Sequence, residues 1–232
     1  MTVKFKRHIF ITGANKGLGF YLYKNICFME NSKITIIGRN NHPNINKKDS
    51  FEKHDLSKLP KKGFNVEKKI LDIIFISNAG IIEPIIPATS QNYKALHKNH
   101  MINFYSPNYI SSFLAKISKT RKIPLYILNI SSGAASKPIA GWSAYCSSKA
   151  SIIMALNCLE AENERVKVMH IDPGIMNTNM QKTIRTTTSE NMKDVKKFIG
   201  FKKNKKLLDP SKIATKIIKN LKSFINENSN SI

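Results

Sequence analysis

The chain has 232 residues, of which 41% are hydrophobic and 23% are charged, with 10 glycines and 9 prolines. This length and composition fit one globular domain over residues 1–232 and exclude a collagen-like, disordered or disulfide-stapled chain. The formal net charge of +23 is typical of proteins that bind polyanions, but only 5 of the 38 basic residues are arginine, so we interpret it as compositional drift and expect no nucleic-acid partner.

Short apolar runs alternate with longer stretches of helical apolar spacing along the chain. The predicted strands are 5–11, 34–37, 73–76, 125–130 and 166–171. The predicted helices are 17–29, 91–118 with an interruption near Pro107, 145–161, and 211–224 after the helix start Asp209-Pro210-Ser211. This alternation predicts an α/β fold, in which helices cover a parallel sheet. Two polar segments, 40–50 and 177–206, are predicted to be irregular, and the lysine-rich second one is a candidate lid.

A glycine-rich turn follows the first predicted strand. Thr12-Gly13-Ala14-Asn15-Lys16-Gly17-Leu18-Gly19 joins that strand to the first helix. Missing Cβ atoms and a helix N-terminus let a pyrophosphate approach backbone N–H groups, so the turn predicts a dinucleotide phosphate site. After the second strand, where an NAD enzyme places an acidic residue, the chain has Gly38-Arg39-Asn40. Arg39 and Lys16 therefore predict binding of a 2′-phosphate and NADP(H) as the cofactor.

Polar residues cluster where the later strands end. Tyr145 and Lys149 lie four residues apart on one helix face, where an ammonium is expected to lower the pKa of a phenol. The carboxyl ends of parallel strands form the ligand-binding edge of an open α/β sheet, so residues at these ends are predicted to share one site. They are Asn78-Ala79-Gly80, Ser132 and Asp172-Pro173-Gly174, with Asn103 on the long helix and Thr178 beyond the last strand.

Four single residues leave alternatives open. Ser131 is the other candidate hydroxyl, although the spacing to the tyrosine favours Ser132. Asn103 is either functional or an ordinary polar helix residue, and Trp142 is either a pocket wall or part of the core. His170 stands close to an aspartate and suggests a catalytic dyad, but a histidine in a core strand is more often simply hydrogen-bonded.

The three cysteines, Cys27, Cys146 and Cys158, are odd in number and lack C-x-x-C spacing. This pattern predicts free thiols in a reducing compartment and no zinc or other metal site. No apolar run reaches the roughly 18 residues that a membrane span needs, and the basic residues within 1–11 are not typical of a signal peptide. We therefore expect a cytoplasmic protein without a membrane partner.

Taken in order, the motifs T-G-x-x-x-G-x-G, N-A-G, Asn, Ser, Y-x-x-x-K and P-G-x-x-x-T resemble those of the short-chain dehydrogenase/reductase family, from about residue 5 to 226. Within that family, the stretches 129–150 and 172–181 are similar to the sepiapterin reductase and benzil reductase branch. The resemblance implies a single doubly wound Rossmann-type sheet with helices on both faces. It also implies an NADPH-dependent carbonyl reductase that acts on a ketone or an α-dicarbonyl compound.

The same resemblance implies a role for each matching position. Tyr145 would be the general acid, Lys149 would lower its pKa and hold the nicotinamide ribose, Ser132 would orient the carbonyl, and Asn103 would keep a water in the proton relay. Trp142 and Met180 would line the substrate pocket. The implied cofactor contacts are Gly13, Lys16, Gly17 and Leu18 for the pyrophosphate, Asn15 for the adenosine ribose, Arg39 for the 2′-phosphate, Asp55 and Leu56 for the adenine, Asn78, Ala79 and Gly80 for the ribose bridge, and Ile175 and Thr178, with Pro173 and Gly174 beside them, for the carboxamide.

The chain departs from the family pattern in three places. Segment 40–71 is short, which predicts that one crossover helix is lost or reduced to a turn, and Ser77 stands where the family has Asn. Residues 226–232 are polar where the family has a final strand, so we expect about six strands and no strand-mediated tetramer. The helices 91–118 and 145–161 predict a homodimer, and the face of the second helix opposite Tyr145, including Ile153 and Leu156, is expected to support the site from behind.

Two other functions stay open at this point. The first is reduction of a 3-oxoacyl group on an acidic carrier protein, which the net charge would favour through electrostatic steering. The second is a non-catalytic NADP-sensing or nucleic-acid-binding protein, suggested by the lysines within 193–206.

Overall fold

A computed structural model describes residues 5–60 and 62–229, so predictions for residues 1–4 and 230–232 fall outside the described part of the chain. Six strands form one sheet in the order β3-β2-β1-β4-β5-β6. They are β1 Arg7–Thr12, β2 Ser32–Gly38, β3 Ser50–Lys53, β4 Asp72–Ser77, β5 Leu125–Ile130 and β6 Val166–Ile171. All neighbouring strands are parallel. The strand order switches direction between β1 and β4, and a crevice opens at their carboxyl ends.

Helices cover both faces of this sheet. They are α1 Gly17–Ile26, α2 Tyr93–His100, α3 Ser106–Arg121, α4 Ser143–Glu162, α5 Asn179–Arg185, α6 Val195–Lys203 and α7 Pro210–Asn228. One π-helical turn, Met101–Tyr105, joins α2 to α3, and Pro107 stands in the first turn of α3. Helix α7 begins as predicted, because the Asp209 side chain accepts a hydrogen bond from the backbone N–H of Ser211.

The period of two along the strands distributes apolar side chains to both faces. In β1, Ile9 and Ile11 pack in the cluster that also contains α1 and α7, whereas Phe10 packs on the opposite face with residues of α3 and α4. All three side chains are fully buried. The sheet is therefore doubly covered, which confirms the predicted α/β architecture. Within the described residues, no helix is long and apolar enough to cross a membrane.

Segment 40–71 confirms one prediction and corrects another. Among the described residues of this segment, 40–60 and 62–71, no helix crosses over, as expected. Ser50–Lys53, however, forms strand β3 at the sheet edge, which the sequence reasoning missed. The strand is four residues long and no residue in it is fully buried, so it lacks the apolar run that identifies buried strands.

Segment 177–206 is not irregular, contrary to the prediction, because it forms α5 and α6. Ile184, Val195 and Phe198 of these helices are buried together with Trp142, while the lysines stay outside. Their burial against a distant part of the chain stabilises helices that the polar sequence alone does not predict.

Leu156 also corrects the expected helix face. Tyr145, Lys149, Ile152 and Leu156 form one buried stripe of α4, and Leu156 is fully buried in the core. Leu156 therefore shares the face of Tyr145 instead of lying opposite, whereas Ile153 is half-buried.

Candidate active site

A cavity of about 720 Å³ opens at the carboxyl ends of the strands. Apart from Asn103, every residue that the sequence placed in the site lines this cavity. The lining residues from the prediction are Gly13, Asn15, Lys16, Gly17, Leu18, Arg39, Asp55, Leu56, Asn78, Ala79, Gly80, Ser132, Trp142, Tyr145, Lys149, Pro173, Gly174, Ile175, Thr178 and Met180. Because these predicted residues come from seven separate segments of the chain, the strand order is what brings them together around the cavity.

The glycine turn is held by close backbone contacts. Gly13 and Gly17 have φ angles of +71° and +58°, which side chains rarely adopt. A Cβ on Gly19 would lie 2.2 Å from the carbonyl oxygen of Gly13. The Asn78 side-chain amide donates to the carbonyl oxygens of Thr12 and Gly13, at 3.0 and 3.1 Å. Asn78 thus ties the end of β4 to the turn after β1.

The first turn of α1 is suited to an anion. Lys16 is the N-cap residue, yet its side chain makes no capping hydrogen bond, and no acidic residue stands in the first turn. A Cβ on Gly17 would meet only the Thr178 methyl, at 3.8 Å, so the space beside the turn is open. Backbone N–H groups and the positive end of the helix dipole therefore face a space without a side-chain acceptor. These features fit a dinucleotide pyrophosphate.

Basic side chains line the cavity beyond the ends of β1 and β2. Arg39 and Lys16 are both exposed. The backbone N–H of Ser57 donates to the Asp55 carboxylate at 3.0 Å and lowers the pKa of Asp55, with Arg39 contributing in the same direction. His54, which the sequence reasoning missed, also lines the cavity, and its Nε2 is buried without a partner among the described residues.

Ser132, Tyr145 and Lys149 meet at the centre of the cavity. The Ser132 hydroxyl lies close enough to the Tyr145 phenol to lower its pKa. The Lys149 ammonium donates to the carbonyl oxygen of Ile130 at 2.7 Å and lies 5.9 Å from the centroid of the Tyr145 ring. Burial raises the pKa of Tyr145 to about 12, although the Ser132 hydrogen bond acts in the opposite direction. The expected lowering by Lys149 is therefore wrong for the chain alone. Burial also lowers the pKa of Lys149 to about 8.

Asn103 lies behind the cavity in a buried amide network. Its side chain donates to the carbonyl oxygen of Ile81 at 2.9 Å and accepts from the backbone N–H of the same residue at 2.9 Å. It also donates to Asn99 Oδ1 and Ser148 Oγ, at 2.9 and 3.1 Å. Asn99 and Ser148 are fully buried, and the sequence reasoning missed both. Asn103 is therefore a buried, fully hydrogen-bonded residue, and it lies in a π-helical turn, a feature frequent at functional sites.

An apolar compartment adjoins Tyr145 on the side of α5 and α6. The Trp142 ring meets the Tyr145 ring edge-on, with centroids 5.8 Å apart, and the Phe198 ring at 5.3 Å. Trp142 is only 5% exposed, yet it lines the cavity, so it is both a wall and part of a core cluster. Ile82, Ile139, Met180 and Ile184 line the same compartment and belong to the same cluster.

The geometry also separates the remaining alternatives. Both ring nitrogens of His170 are engaged by asparagines, Nδ1 with Asn129 at 3.0 Å and Nε2 with Asn157 at 2.9 Å. The Asp172 carboxylate instead accepts from the backbone N–H of Gly174 at 2.9 Å. His170 is thus hydrogen-bonded within the structure and forms no dyad. Within the described residues, no group of three or more histidine, cysteine or acidic side chains is placed to hold a metal ion.

Comparison with known proteins identifies relatives of the whole fold. The family model described as short chain dehydrogenase matches residues 7–189. The benzil reductase ((S)-benzoin forming) of Bacillus cereus is 32% identical over 233 residues, which cover 93% of this chain and 93% of the relative. The sepiapterin reductase of Xenopus tropicalis is 29% identical over 150 residues, which cover 63% of this chain and 57% of the relative.

A solved structure agrees with these sequence relatives. The crystal structure of the KRED1-Pglu enzyme superposes with a TM-score of 0.74 at 25% identity, covering 90% of this chain and 91% of that one. The similarity therefore extends through the strand ends and helices that form the cavity.

Proposed function

Because the chain belongs to the short chain dehydrogenase family, we propose that it is an NADPH-dependent reductase that converts a ketone or an α-dicarbonyl compound to an alcohol. The observation that carries the proposal is the group of Ser132, Tyr145 and Lys149 at the centre of one cavity, between the glycine turn and the apolar compartment. Benzil reductase and sepiapterin reductase are among the relatives, which supports a carbonyl substrate.

Tyr145 is the proton donor in this proposal. A phenol whose pKa is about 12 keeps its proton at neutral pH, so it is ready to donate when a carbonyl oxygen becomes an alkoxide. An alkoxide is a stronger base than a phenolate, and transfer from Tyr145 is therefore favourable. The Ser132 hydroxyl, which lines the cavity close to the same phenol, orients the carbonyl oxygen beside it.

Lys149 replaces the proton that Tyr145 loses. Its lowered pKa, about 8, allows proton exchange close to neutral pH, and it stands one helical turn from Tyr145. A Cβ on Gly80 would lie 3.2 Å from Asn103 Oδ1 and 3.9 Å from Lys149 Nζ, so the two side chains meet against one backbone position. Asn103 holds the Ile81 backbone beside them and keeps this end of the relay in place.

A nicotinamide cofactor would supply the hydride. The open first turn of α1 fits its pyrophosphate, with Gly13, Lys16, Gly17 and Leu18 around it. Arg39, with Lys16, would bind the 2′-phosphate, and Asp55 and Leu56 the adenine. Asn15 and the segment 78–80 would contact the riboses, while Ile175 and Thr178, next to Pro173 and Gly174, would contact the carboxamide.

We also propose how the chain is organised around this site. Helices α5 and α6 form a lid on the substrate compartment, where Met180 lines the wall. Two chains pair through the α2–α3 and α4 helices, whose outer surfaces carry Tyr105, 46% exposed, and Met154, 64% exposed. The three cysteines are all unpaired, which suits a reducing compartment such as the cytosol.

The test is a carbonyl panel, with consumption of NADPH as the readout. We expect activity with diketones such as benzil, and we expect Tyr145→Phe to lower the rate by about a hundredfold or more with cofactor affinity nearly unchanged. Ser136→Ala is the matched control, because it also removes one hydroxyl group. Ser136 is exposed and follows β5, as Ser132 does, but it does not line the cavity. An unchanged rate in Tyr145→Phe refutes the mechanism. A parent protein inactive on every carbonyl refutes the substrate class.

A further inference from the structure

Helix α2 carries a single buried residue, and that residue is an asparagine. Asn99 is fully buried, whereas the other residues of Tyr93–His100 are exposed or half-buried. Helices on a protein surface normally bury an apolar stripe instead. Because a buried amide costs free energy unless its donors and its acceptor have partners, the contacts of Asn99 must account for its position.

Every polar group of the Asn99 side chain has a partner. Its amide nitrogen donates to the carbonyl oxygens of Glu83 and Ile81, at 2.7 and 3.3 Å. Its Oδ1 accepts from the Asn103 amide nitrogen at 2.9 Å. A carbonyl cannot donate a hydrogen bond, so the NH₂ group of Asn99 must face the two carbonyls and its oxygen must face Asn103. The orientation of the Asn99 amide is thus fixed.

Asn103 connects this amide to the turn of α4 that bears Tyr145 and Lys149. The Asn103 amide nitrogen donates to Ser148 Oγ at 3.1 Å, and Ser148 Oγ donates to the carbonyl oxygen of Tyr145 at 3.0 Å. Because the Ser148 hydrogen is used in the second bond, Ser148 accepts in the first. Three successive hydrogen bonds therefore link Asn99 to the backbone of Tyr145, and Ser148 directly precedes Lys149. Asn103 and Ser148 are buried like Asn99.

The same amide also fixes the loop after β4. Ile81 and Ile82 of this loop line the cavity, and Ile82 packs in the cluster that contains Trp142. Asn99 donates to the backbone carbonyls on both sides of Ile82. One buried side chain therefore holds a wall of the cavity and, through Asn103, the helix turn that faces it.

From these contacts we propose that Asn99 is a positioning residue, which fixes Asn103 and, through it, the α4 turn of Tyr145 relative to the cavity wall. The role rests on the proposed carbonyl reductase function. Asn99 lies outside the cavity lining, so it acts only through its neighbours. A misplacement of about 1 Å can lower an enzyme's rate by about a hundredfold. Loss of the network should therefore lower kcat, while the glycine turn, which Asn78 holds, keeps its contacts.

Two substitutions separate hydrogen bonding from packing. Asn99→Leu has a similar size but leaves the carbonyl of Glu83 and the amide of Asn103 without this partner. Asn99→Asp introduces a carboxyl that, when protonated, can donate to Glu83 and accept from Asn103, whereas its ionised form only accepts and repels the Glu83 carbonyl. Burial raises the pKa of such a carboxyl, so we expect it to titrate between pH 6 and pH 9.

The readouts are kcat with NADPH, on the carbonyl that the parent protein reduces fastest, and NADPH affinity from fluorescence. Asn99→Leu should lower kcat by about tenfold or more with NADPH affinity within about twofold of the parent. The ratio of kcat in Asn99→Asp to kcat in the parent should fall by about fivefold or more from pH 6 to pH 9. Titratable side chains on the adjoining elements, which include Glu83, His100 and Lys149, are present in both proteins, so their effect cancels in this ratio.

Ser118→Ala is the matched control. Ser118 is fully buried and donates to the carbonyl oxygen of Ile123 at 2.6 Å, before β5, so the substitution also removes a buried donor from a loop carbonyl. It should keep the kcat of the parent at every pH.

A kcat equal to that of the parent in Asn99→Leu, or a pH-independent ratio in Asn99→Asp, overturns the positioning role and leaves the carbonyl reductase function standing. If Asn99→Leu fails to fold, the pH dependence of Asn99→Asp decides alone. A parent protein inactive on every carbonyl overturns the proposed function, and this role with it.

Discussion

Replacing Arg39 by Asp should reverse the cofactor preference of this protein. Arg39 follows β2 and lines the cavity together with Lys16, and both side chains are exposed. A charge-assisted hydrogen bond is worth about 1.5 to 3 kcal/mol, and exposure to solvent favours the lower figure. Since about 1.4 kcal/mol is a factor of ten, the parent protein should prefer NADPH over NADH at least about tenfold.

The substituted carboxylate acts in two ways. It repels a 2′-phosphate, and it can accept hydrogen bonds from the ribose hydroxyls of NADH, as acidic residues at this position do in NAD-binding folds. We therefore expect Arg39→Asp to favour NADH by about tenfold. The assay is the ratio of kcat/KM for NADPH and NADH with one carbonyl substrate, at low and at high salt. High salt should reduce the preference of the parent protein, because the side chains involved are exposed.

Lys53→Asp is a stringent control for this substitution. Lys53 is exposed at the end of β3, where it pairs with Gly38 in the sheet register, but it does not line the cavity. The change in charge is the same as in Arg39→Asp, so a long-range electrostatic effect would appear in both. Equal affinities for the two cofactors in the parent protein, or equal shifts in the two variants, would refute the assignment of Arg39 to the 2′-phosphate.

Four further predictions concern stability and assembly. Burial lowers the pKa of Lys149 from 10.5 to about 8, so between pH 8 and pH 10.5 the unfolded chain binds a proton that the folded chain has lost. The free energy of unfolding, measured by urea titration, should therefore rise with pH over this range, and Lys149→Met should abolish the rise. Leu156→Ala should lower the free energy of unfolding by about 2 to 5 kcal/mol, whereas Leu71→Ala, at a position 59% exposed, should lower it by under about 0.5; equal losses would contradict the core position of Leu156. A methyl on Gly19 meets a backbone oxygen at 2.2 Å, whereas one on Gly200 meets nothing within 4 Å, so thermal melts should show Gly19→Ala destabilised and Gly200→Ala stabilised by about 0.5 to 1 kcal/mol. Light scattering should give a dimer, and a stable active monomer or a tetramer would contradict the helix pairing.

Much of the site could be predicted because its parts are local. The turn after β1 needs glycine at Gly13 and Gly17 for their positive φ angles, so the turn is visible in the sequence itself. Ser132 follows a strand, and Tyr145 and Lys149 share one helix face. Parallel strands bring such positions to one edge of the sheet, so secondary structure and strand direction were enough to group them.

Other features depend on contacts between distant parts of the chain. Strand β3 exists because it pairs with β2, and α5 and α6 are stabilised where Phe198 packs on Trp142. The pKa of Tyr145 was predicted in the wrong direction because its burial, which no local pattern measures, raises the pKa by more than the Ser132 hydroxyl lowers it. The sequence by itself determined which chemical groups the protein carries and at which strand ends they stand. Only the tertiary structure decided which of these groups are buried and which are hydrogen-bonded. The indole nitrogen of Trp142 and the amide nitrogen of Gln181, for example, are buried without a partner among the described residues. The reason is that burial and pairing are properties of the assembled sheet and its helices.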